Sequence, residues 1–221
     1  MIFDFHTHTF LGDGELLPME LIRRAISRGY TAMAIAEHAS ASTMDRVIEE
    51  VARDCELAAK EWGFAAIPAV ELTHVPPSAV APLARRAKER GAKIVVCHGE
   101  TVVEPVAPGT NLAGVDCEDV DILAHPGLIT AEEVRIAAER GVYLEITCRK
   151  GHSLTNGHVA RLATECGTKT LVNTDAHAPG DLLSEGFART VALGAGIPES
   201  RLEEILIRNP QELLRKIGVT V

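Results

Sequence analysis

The chain has 221 residues, of which 46 % are hydrophobic, and it carries a formal net charge of −9 at pH 7. This length suits one α/β domain with a full core, predicted to span residues 1–221. The anionic charge disfavours long nucleic acid as a partner. No apolar run approaches the roughly 20 residues of a membrane span, so no membrane association is expected.

Short apolar runs alternate with amphipathic stretches along the chain. The pattern predicts strand 2–5, helix 19–29, strand 32–38, helix 43–63, strand 65–72, helix 79–91, strand 93–98, an irregular stretch at 99–120, strand 121–127, helix 130–141, strand 142–148, helix 156–167, strand 170–177 and helices near 184–194 and 198–217. Thr43 and Asn156 are suited to cap the N-termini of the helices at 43–63 and 156–167.

Strict alternation of strands and helices predicts a parallel sheet. The strands are nearly continuous apolar runs, as expected when helices or a barrel interior cover both faces. Polar residues stand at the carboxyl ends of six of the seven strands, where parallel α/β folds build their active sites. Only a closed sheet brings all six ends together. The sequence therefore predicts an α/β fold in which seven (β/α) units close into a single-domain TIM-like barrel.

The polar residues at these strand ends are of the types that bind metal ions. They are His6, His8, His38, Glu71, His98, His125, Asp175 and His177, and Asp13 follows in the loop after strand 1. Residues at i and i+2 of a strand point the same way, so His6/His8 and Asp175/His177 form two pairs of donors. One histidine at a strand end is usually an ordinary polar residue, but six of them with carboxylates indicate a site for Zn, Mn or Fe.

Four segments resemble motifs of the PHP family, named for polymerase and histidinol phosphatase. These are DFHTHTFLGDG, AVELTH, LAHPG and NTDAH, and the resemblance runs from Asp4 to His177. It implies a distorted seven-stranded barrel with three divalent metal ions. The first ion would be bound by His6, His8, Glu71 and Asp175, the second by Glu71, His98 and His125, and the third by Asp13, His38 and His177. Asp13 stands where some phosphatases of the family have histidine.

Such a centre predicts hydrolysis of a small phosphate monoester by a metal-bridged hydroxide. Three divalent ions and three carboxylates leave a local charge of about +3, which suits a phosphate dianion. Asp175, His177 and Glu71 are the predicted catalytic residues. Arg149, Lys150 and Ser153 are the predicted substrate contacts, although the two basic residues could simply be solvated and Ser153 could shape a turn.

Several alternatives stay open at the level of the sequence. The same ions could cleave a phosphodiester, as in a nuclease, and related barrels serve amidohydrolases. A non-catalytic module could hold the metals structurally. Among monoesters, histidinol phosphate and nucleotides are equally compatible, and neither the native metal nor the oligomeric state follows from the sequence. The expected partner is a small phosphorylated metabolite.

Five widely spaced cysteines without a CxxC pair are typical of reduced thiols, and MIFDFHTHTF does not have the pattern of a secretory signal, so a cytoplasmic location is expected. Cys97 and Cys148 are predicted to be packed thiols. His74, His152 and His158 are not expected to be metal ligands. Asp4 and Asn173 could each orient a ligand. Glu100 and Glu104 could belong to a lid over the site or be solvated.

Overall fold

Seven parallel strands follow one another around a single sheet in the computed structural model, which describes residues 1–221. They are β1 (Ile2–Asp4), β2 (Tyr30–Ala39), β3 (Ala65–Leu72), β4 (Ile94–His98), β5 (Ile122–Ala124), β6 (Tyr143–Thr147) and β7 (Thr170–Asn173). The helices between and after them are α1 (Pro18–Ser27), α2 (Met44–Trp62), α3 (Pro77–Glu89), α4 (Thr110–Val115), α5 (Ala131–Arg140), α6 (Asn156–Cys166), α7 (Glu185–Gly194) and α8 (Asn209–Lys216).

The first and last strands meet just beyond their carboxyl ends. Thr7 and Ala176 form a parallel bridge there. The amide of Asp175 donates to the carbonyl of His6, and the amide of His8 donates to the carbonyl of Ala176, each at 2.8 Å. This seam nearly closes the sheet, which confirms the predicted seven-stranded TIM-like α/β barrel.

The core has two compartments that follow the alternation of side chains along each strand. A cluster of 50 buried residues lies largely between strands and helices, and a second cluster of 15 fills the barrel. In β2, Ala34 and Ala36 belong to the inner cluster, whereas Met33 and Ile35 belong to the outer one. The inner positions recur every two residues, and at the strand end they lead to His38.

Three local predictions need correction. Residues 99–120 are not wholly irregular, because α4 begins within them where the carboxylate of Glu100 accepts hydrogen bonds from the amides of Gly109 and Asn111, both at 2.9 Å. Asn156 does not cap its helix, since its side chain instead bonds the amide and the carbonyl of Thr147 in β6. The predicted helix near 198–217 begins with a 3₁₀ turn and then runs without a break from residue 202 to Lys216, but it contains a π-helical turn at Glu204–Arg208, since Pro210 lacks the amide that an α-helical turn would use there.

No helix combines the length and the apolar character that crossing a membrane would require.

Candidate metal centre

The nine predicted ligands converge at the carboxyl ends of the strands. The ring centres of His8 and His177 lie 4.2 Å apart, and those of His98 and His125 lie 4.5 Å apart. A cavity of about 50 Å³ opens among these residues, and none of its lining residues is hydrophobic. The lining consists of Asp13, His38, His98, Glu104, His125, Arg149, His152, Asp175 and His177.

Strand alternation explains why so many polar side chains point into this cavity. Inner-cluster residues Ala69 and Val96 are followed two residues later by Glu71 and His98, at the ends of β3 and β4. His125 does not follow the same alternation. Its φ of 28° lies in the left-handed region, as does the φ of 53° at Asp175. Backbone strain of this kind is common where a functional site imposes the geometry, and here it occurs at two of the predicted ligands.

Glu71 lies at the middle of the centre and is fully buried. Its Oε1 is 3.4 Å from Nε2 of His6 and 3.5 Å from Nε2 of His125. Its Oε2 is 2.9 Å from Nε2 of His38 and 3.8 Å from Nε2 of His8. A single carboxylate thus faces four imidazoles, an arrangement that allows it to bridge two ions.

Two further carboxylates complete the centre. Oδ1 of Asp175 lies 3.2 Å from Nε2 of His8, and Oδ2 lies 3.7 Å from Nε2 of His125. Oδ1 of Asp13 lies 3.2 Å from Nε2 of His177 and 3.5 Å from Nδ1 of His38. The potential ligand atoms fall into four groups, each within 4.8 Å: His8/Asp13/His38/His177, His6/Glu71/His125, His6/His8/Asp175 and His74/His98/Glu104.

The hydrogen bonds of three histidines determine which ring nitrogen faces the centre. Nδ1 of His177 donates to the carbonyl of Asp175 at 2.9 Å, and Nδ1 of His98 donates to the carbonyl of Gly99 at 3.1 Å. Nδ1 of His6 is 2.7 Å from the carboxylate of Glu145. When these rings are neutral, Nε2 of each carries a lone pair and no proton.

With these rings neutral, as metal binding requires, lone pairs would point at lone pairs inside the centre. Nε2 of His6 faces Oε1 of Glu71, and neither atom has a hydrogen-bond partner; both ring nitrogens of His8 and Nδ1 of His125 are buried without partners as well. Buried polar atoms are rarely left unpaired in folded proteins. A cation coordinated by these atoms would satisfy them, so the donor set fits divalent metal ions of the zinc, manganese or iron type.

The electrostatics of the centre favour the metal-binding forms of its carboxylates and of His8. At His6, His38 and His125 the nearby carboxylates outweigh burial and raise the pKa, so a metal ion competes with a proton at these rings. Burial opposes ionisation of Glu71, but the surrounding histidines outweigh it and hold the pKa of this carboxyl well below its usual range. The hydrogen bond with His177 lowers the pKa of Asp13 to about 2. Burial lowers the pKa of His8 to about 4, which keeps that ring neutral at physiological pH. Ionised carboxylates and neutral imidazoles are the metal-binding states.

Glu145 of β6 is a residue beside the predicted ligands that the sequence did not reveal. It is fully buried, and besides His6 it accepts a hydrogen bond at 3.0 Å from Nδ2 of Asn173. Asn173, predicted to orient a ligand, thus contacts His6 only indirectly, through Glu145. Asp4 accepts bonds from the amide and hydroxyl of Thr174, at 3.1 and 2.6 Å, and so holds the residue that precedes Asp175.

The predicted substrate contacts lie at different distances from the centre. Arg149 lines the metal-site cavity, and its Nη1 donates to the carbonyl of Asp175 at 3.3 Å. Lys150 is exposed and lines an adjoining cavity of about 450 Å³ together with Arg149. Ser153 lines neither cavity.

Two residues not predicted as ligands reach the centre. Nε2 of His152 lies 3.3 Å from Oε1 of Glu104, and its ring centre lies 4.3 Å from that of His125. Glu104 belongs to a loop and His152 begins a short 3₁₀ helix, His152–Thr155, and no periodicity in the sequence encodes the path of either segment. His158, by contrast, donates from Nε2 to the carbonyl of Ile129 and forms none of these contacts.

The cysteines are free, and Cys97 is buried. Burial raises the pKa of the thiols of Cys97 and Cys148. Both thiols therefore stay protonated at neutral pH, in agreement with the prediction of packed, unreactive side chains.

No family model matches the chain. A Methanocaldococcus jannaschii protein, Uncharacterized protein MJ1295, is 50 % identical over 218 residues, which cover 98 % of this chain and 100 % of the relative. The 5'-3' exoribonuclease Rnm of Escherichia coli is 26 % identical over 172 residues. That match covers 76 % of this chain but only 50 % of the enzyme.

Solved structures with a similar fold include a candidate histidinol phosphatase, HisK, from Listeria monocytogenes, with a TM-score of 0.59 and 12 % identity over 85 % of this chain and 99 % of that one. A two-domain Bacteroides vulgatus protein containing a predicted PHP-like metal-dependent phosphoesterase has a TM-score of 0.50 and 17 % identity, over 81 % and 52 % of the two chains. Ochratoxinase of A. niger has a TM-score of 0.61 and 12 % identity, over 96 % and 71 %. At these identities the likeness concerns the fold, which is PHP-like.

Proposed function

We propose that this chain, which belongs to the same family as the Methanocaldococcus jannaschii protein MJ1295, is a metal-dependent phosphoesterase of the PHP type. Its substrate would be a small phosphorylated metabolite, hydrolysed as a phosphate monoester. The observation that carries the proposal is the convergence of six imidazoles and three carboxylates, several of whose buried polar atoms have no hydrogen-bond partner.

The proposal assigns the nine converging residues as ligands of three divalent ions. His6, His8, Glu71 and Asp175 would hold the first, Glu71, His98 and His125 the second, and Asp13, His38 and His177 the third. Bound there, the ions would supply an ionised water at neutral pH and stabilise negative charge on the phosphoryl oxygens.

The chain's own residues prepare the site for a phosphate. Asp175, His177 and Glu71 are the catalytic residues we propose, because their polar atoms line or adjoin the space where ions and phosphate would meet. Arg149 is held beside this space by its bond to the carbonyl of Asp175, so its guanidinium can bind a nonbridging oxygen. The nonpolar outer cluster and the helices exclude water from the ligands behind the cavity.

A phosphodiester is the second candidate substrate. The similarity to the Escherichia coli exoribonuclease over three quarters of this chain favours it, since an exoribonuclease cleaves phosphodiester bonds. An amidohydrolase function is favoured only by fold likeness.

Release of p-nitrophenolate from p-nitrophenyl phosphate and from bis-p-nitrophenyl phosphate, together with phosphate release from a panel of phosphorylated metabolites, tests the proposal. We expect activity only with added Zn²⁺, Mn²⁺ or Fe²⁺, and a loss of at least ~100-fold in Asp175→Asn and His8→Ala, because each removes a metal ligand. Glu61→Gln, on the exposed surface of α2, should match the wild type. Wild-type rates in the two variants, or in metal-free buffer, would refute the scheme, and faster cleavage of the diester would favour the second candidate.

A further inference from the structure

The cavity among the proposed metal ligands is too small for a whole phosphate ester. It measures about 50 Å³, which is the space of a few water molecules. Pockets that enclose an entire small ligand typically measure about 300–1,000 Å³. The leaving group of a bound ester, which departs with the bridging oxygen, must therefore lie outside the metal-site cavity.

A larger cavity of about 450 Å³ adjoins the metal-site cavity. Arg149 lines both spaces. Cys148 and Thr174 line the larger one, and they directly precede Arg149 and Asp175, which line the smaller one. The two cavities thus lie side by side at the ends of β6 and β7, so an ester held at the metal centre can extend into the larger one. We call this larger space, lined by residues 148–150, 174, 180–181 and 187, the leaving-group cavity.

Phe187 gives the leaving-group cavity an aromatic wall. It lies in the first turn of α7, where its amide donates to Oγ of Ser184 at 3.2 Å, so the N-cap fixes its backbone. Phe187 is 47 % exposed and belongs to neither hydrophobic cluster of the core. Since the ring is not used to pack the barrel, it can pack against a planar ring of a bound molecule.

Two cations and one carboxylate line the leaving-group cavity. Oδ2 of the carboxylate, Asp181, accepts hydrogen bonds from the amides of His177 and Ala178, at 3.0 and 2.8 Å, and lies 3.8 Å from Nη1 of Arg149. Its charge is therefore balanced by Arg149 and two amides. The exposed ammonium of Lys150 is the cation left over, and it can bind an anionic group.

We propose that this cavity binds the leaving group, and that the substrate is a phosphate monoester whose leaving group carries a planar ring and an anionic group. The ring packs against Phe187 and the anionic group binds Lys150. The inference rests on the proposed function, because it names the substrate class of the same site. It disfavours histidinol phosphate, whose amine would add a further cation beside Lys150.

Three aryl esters of similar shape test the charge: 4-carboxyphenyl phosphate, phenyl phosphate and 4-(aminomethyl)phenyl phosphate. With the metal-loaded wild type, kcat/KM should be highest for the carboxylate and lowest for the amine. In Lys150→Ala the ratio of kcat/KM between the carboxylate and phenyl esters should fall at least ~3-fold. Lys60→Ala, on the exposed surface of α2, is the matched control and should keep the wild-type ratio.

Phe187→Ala tests the ring. Its loss of kcat/KM should be at least ~5-fold larger for 4-carboxyphenyl phosphate than for 2-carboxyethyl phosphate, which has the charge but no ring. Trp62→Ala removes a ring that is 43 % exposed on α2 and lines neither cavity, so it should affect neither ester. Circular dichroism checks folding. If Phe187→Ala does not fold, Phe187→Leu keeps the apolar bulk, removes the ring and should still show the larger loss with the aryl ester.

Binding of 4-hydroxybenzoate to the metal-free protein gives a readout that does not depend on hydrolysis. Without ions, the carboxylate of this probe cannot bind at a metal. Saturation-transfer NMR should detect its aromatic protons on the wild type, and the signal should weaken in Lys150→Ala and in Phe187→Ala but not in the two controls.

The outcomes separate the leaving-group cavity from the proposed function. Hydrolysis of all the esters without a preference for the carboxylate, or a preference that either substitution leaves unchanged, overturns the assignment of the cavity and leaves Lys150 as a solvated residue. A wild type that hydrolyses no phosphate ester with any of the three metals overturns the proposed function. The cavity then falls with it unless 4-hydroxybenzoate binds in a manner that depends on Lys150 and Phe187.

Discussion

At the scale of single residues, the buried contacts among His6, Glu145 and Asn173 determine the orientation of the His6 ring, a proposed metal ligand. Asn173 donates to Glu145, and Glu145 accepts from Nδ1 of His6, so that Nε2 of His6 points toward Glu71. The charge of His6 and their mutual hydrogen bond outweigh burial and lower the pKa of Glu145. An ionised carboxylate behind an imidazole raises the basicity of the nitrogen that faces the metal.

Glu145→Gln should therefore weaken metal binding without removing a ligand. The amide can still accept one hydrogen bond from His6, but it carries no charge to polarise the ring. We expect a ~10–100-fold loss of affinity for the most tightly bound ion, with a parallel loss of phosphatase activity. Isothermal titration with Zn²⁺ measures the affinity.

Glu61→Gln serves as the control for this substitution, since it makes the same chemical change on the surface of α2. Unchanged affinity in Glu145→Gln would show that the buried carboxylate is structural and does not tune His6.

Glu145 and Glu104 show where prediction of the site from the sequence ends. The nine predicted ligands follow strand ends, and strand ends can be predicted because the apolar runs are clear. Glu145 lies inside the apolar run YLEIT, and only the direction of the barrel interior reveals that it faces His6. Glu104 depends on the course of a loop, which is set by long-range packing and not by local pattern.

At the scale of elements, the loops after β4 and β5 are packed backbone against backbone. A Cβ built on Gly127 would lie 1.9 Å from the carbonyl oxygen of Glu100, and one on Gly99 would lie 2.3 Å from that of Ala124. Gly127 also has a φ of 60°, which favours glycine. The two loops follow His98 and His125 directly, so their close approach determines where these rings lie.

Gly127→Ala should both destabilise the protein and displace the rings of His98 and His125 in the metal centre. The left-handed backbone and the clash with the carbonyl of Glu100 imply a loss of about 2 kcal/mol or more in the free energy of unfolding. Urea denaturation measures this loss.

Gly186→Ala in α7 is the matched control, because a Cβ there meets no atom within 4 Å. It should leave stability within about 1 kcal/mol of the wild type. Equal stabilities for the two variants would contradict the packing of these loops.

The sequence predicts which strands and helices form better than it predicts the residues at which they end. Strand β3 occupies the predicted residues 65–72, because its mostly apolar run is long. Strands β5 and β7 stop at Ala124 and Asn173, earlier than predicted, because the backbone turns to positive φ at His125 and Asp175. Those turns are imposed by the site, and local propensity does not indicate them.

At the scale of the whole molecule, the metal centre gathers three carboxylates and six histidines at one end of the barrel, with the carboxyl groups of Asp4 and Glu145 buried beside them. Without ions, these groups leave buried atoms unsatisfied, which costs free energy of folding. A ligand that binds only the folded protein stabilises it in proportion to the logarithm of its concentration over its dissociation constant.

Removal of metal should therefore lower the thermal stability of the whole barrel. At a free metal concentration 1,000 times the dissociation constant, one ion adds about 4 kcal/mol to the free energy of unfolding. Differential scanning calorimetry with and without Zn²⁺ measures the shift in Tm. Asp175→Asn should show a smaller shift, and a Tm that does not respond to metal in the wild type would contradict the centre.

Metal binding should also release protons. Burial opposes the charge of His38, but the carboxylate of Glu71 outweighs it and raises the pKa of this ring to about 9 in the metal-free protein. The stability that this protonated ring contributes to the metal-free fold is complete below about pH 6.5 and is lost as the pH rises through about 9. An ion competes with that proton, so its affinity should increase with pH over the same window.

Titration calorimetry in two buffers of different ionisation enthalpy counts the protons released on Zn²⁺ binding. We expect release at pH 7 and a tighter apparent affinity at pH 8.5 than at pH 6.5. An affinity that is constant over this range, with no proton release, would be incompatible with the protonated His38.

The seam between Thr7 and Ala176 has a consequence for biosynthesis. It joins residues near the start of the sequence to residues about 170 positions later, and the proposed ligands His6, His8, Asp175 and His177 flank it on both sides. A nascent chain emerging from the ribosome has only half of these donors until β7 has been translated. Ion capture at the inner sites is therefore a late event, and a nascent chain arrested before β7 would leave the two histidines at its beginning without Asp175 and His177.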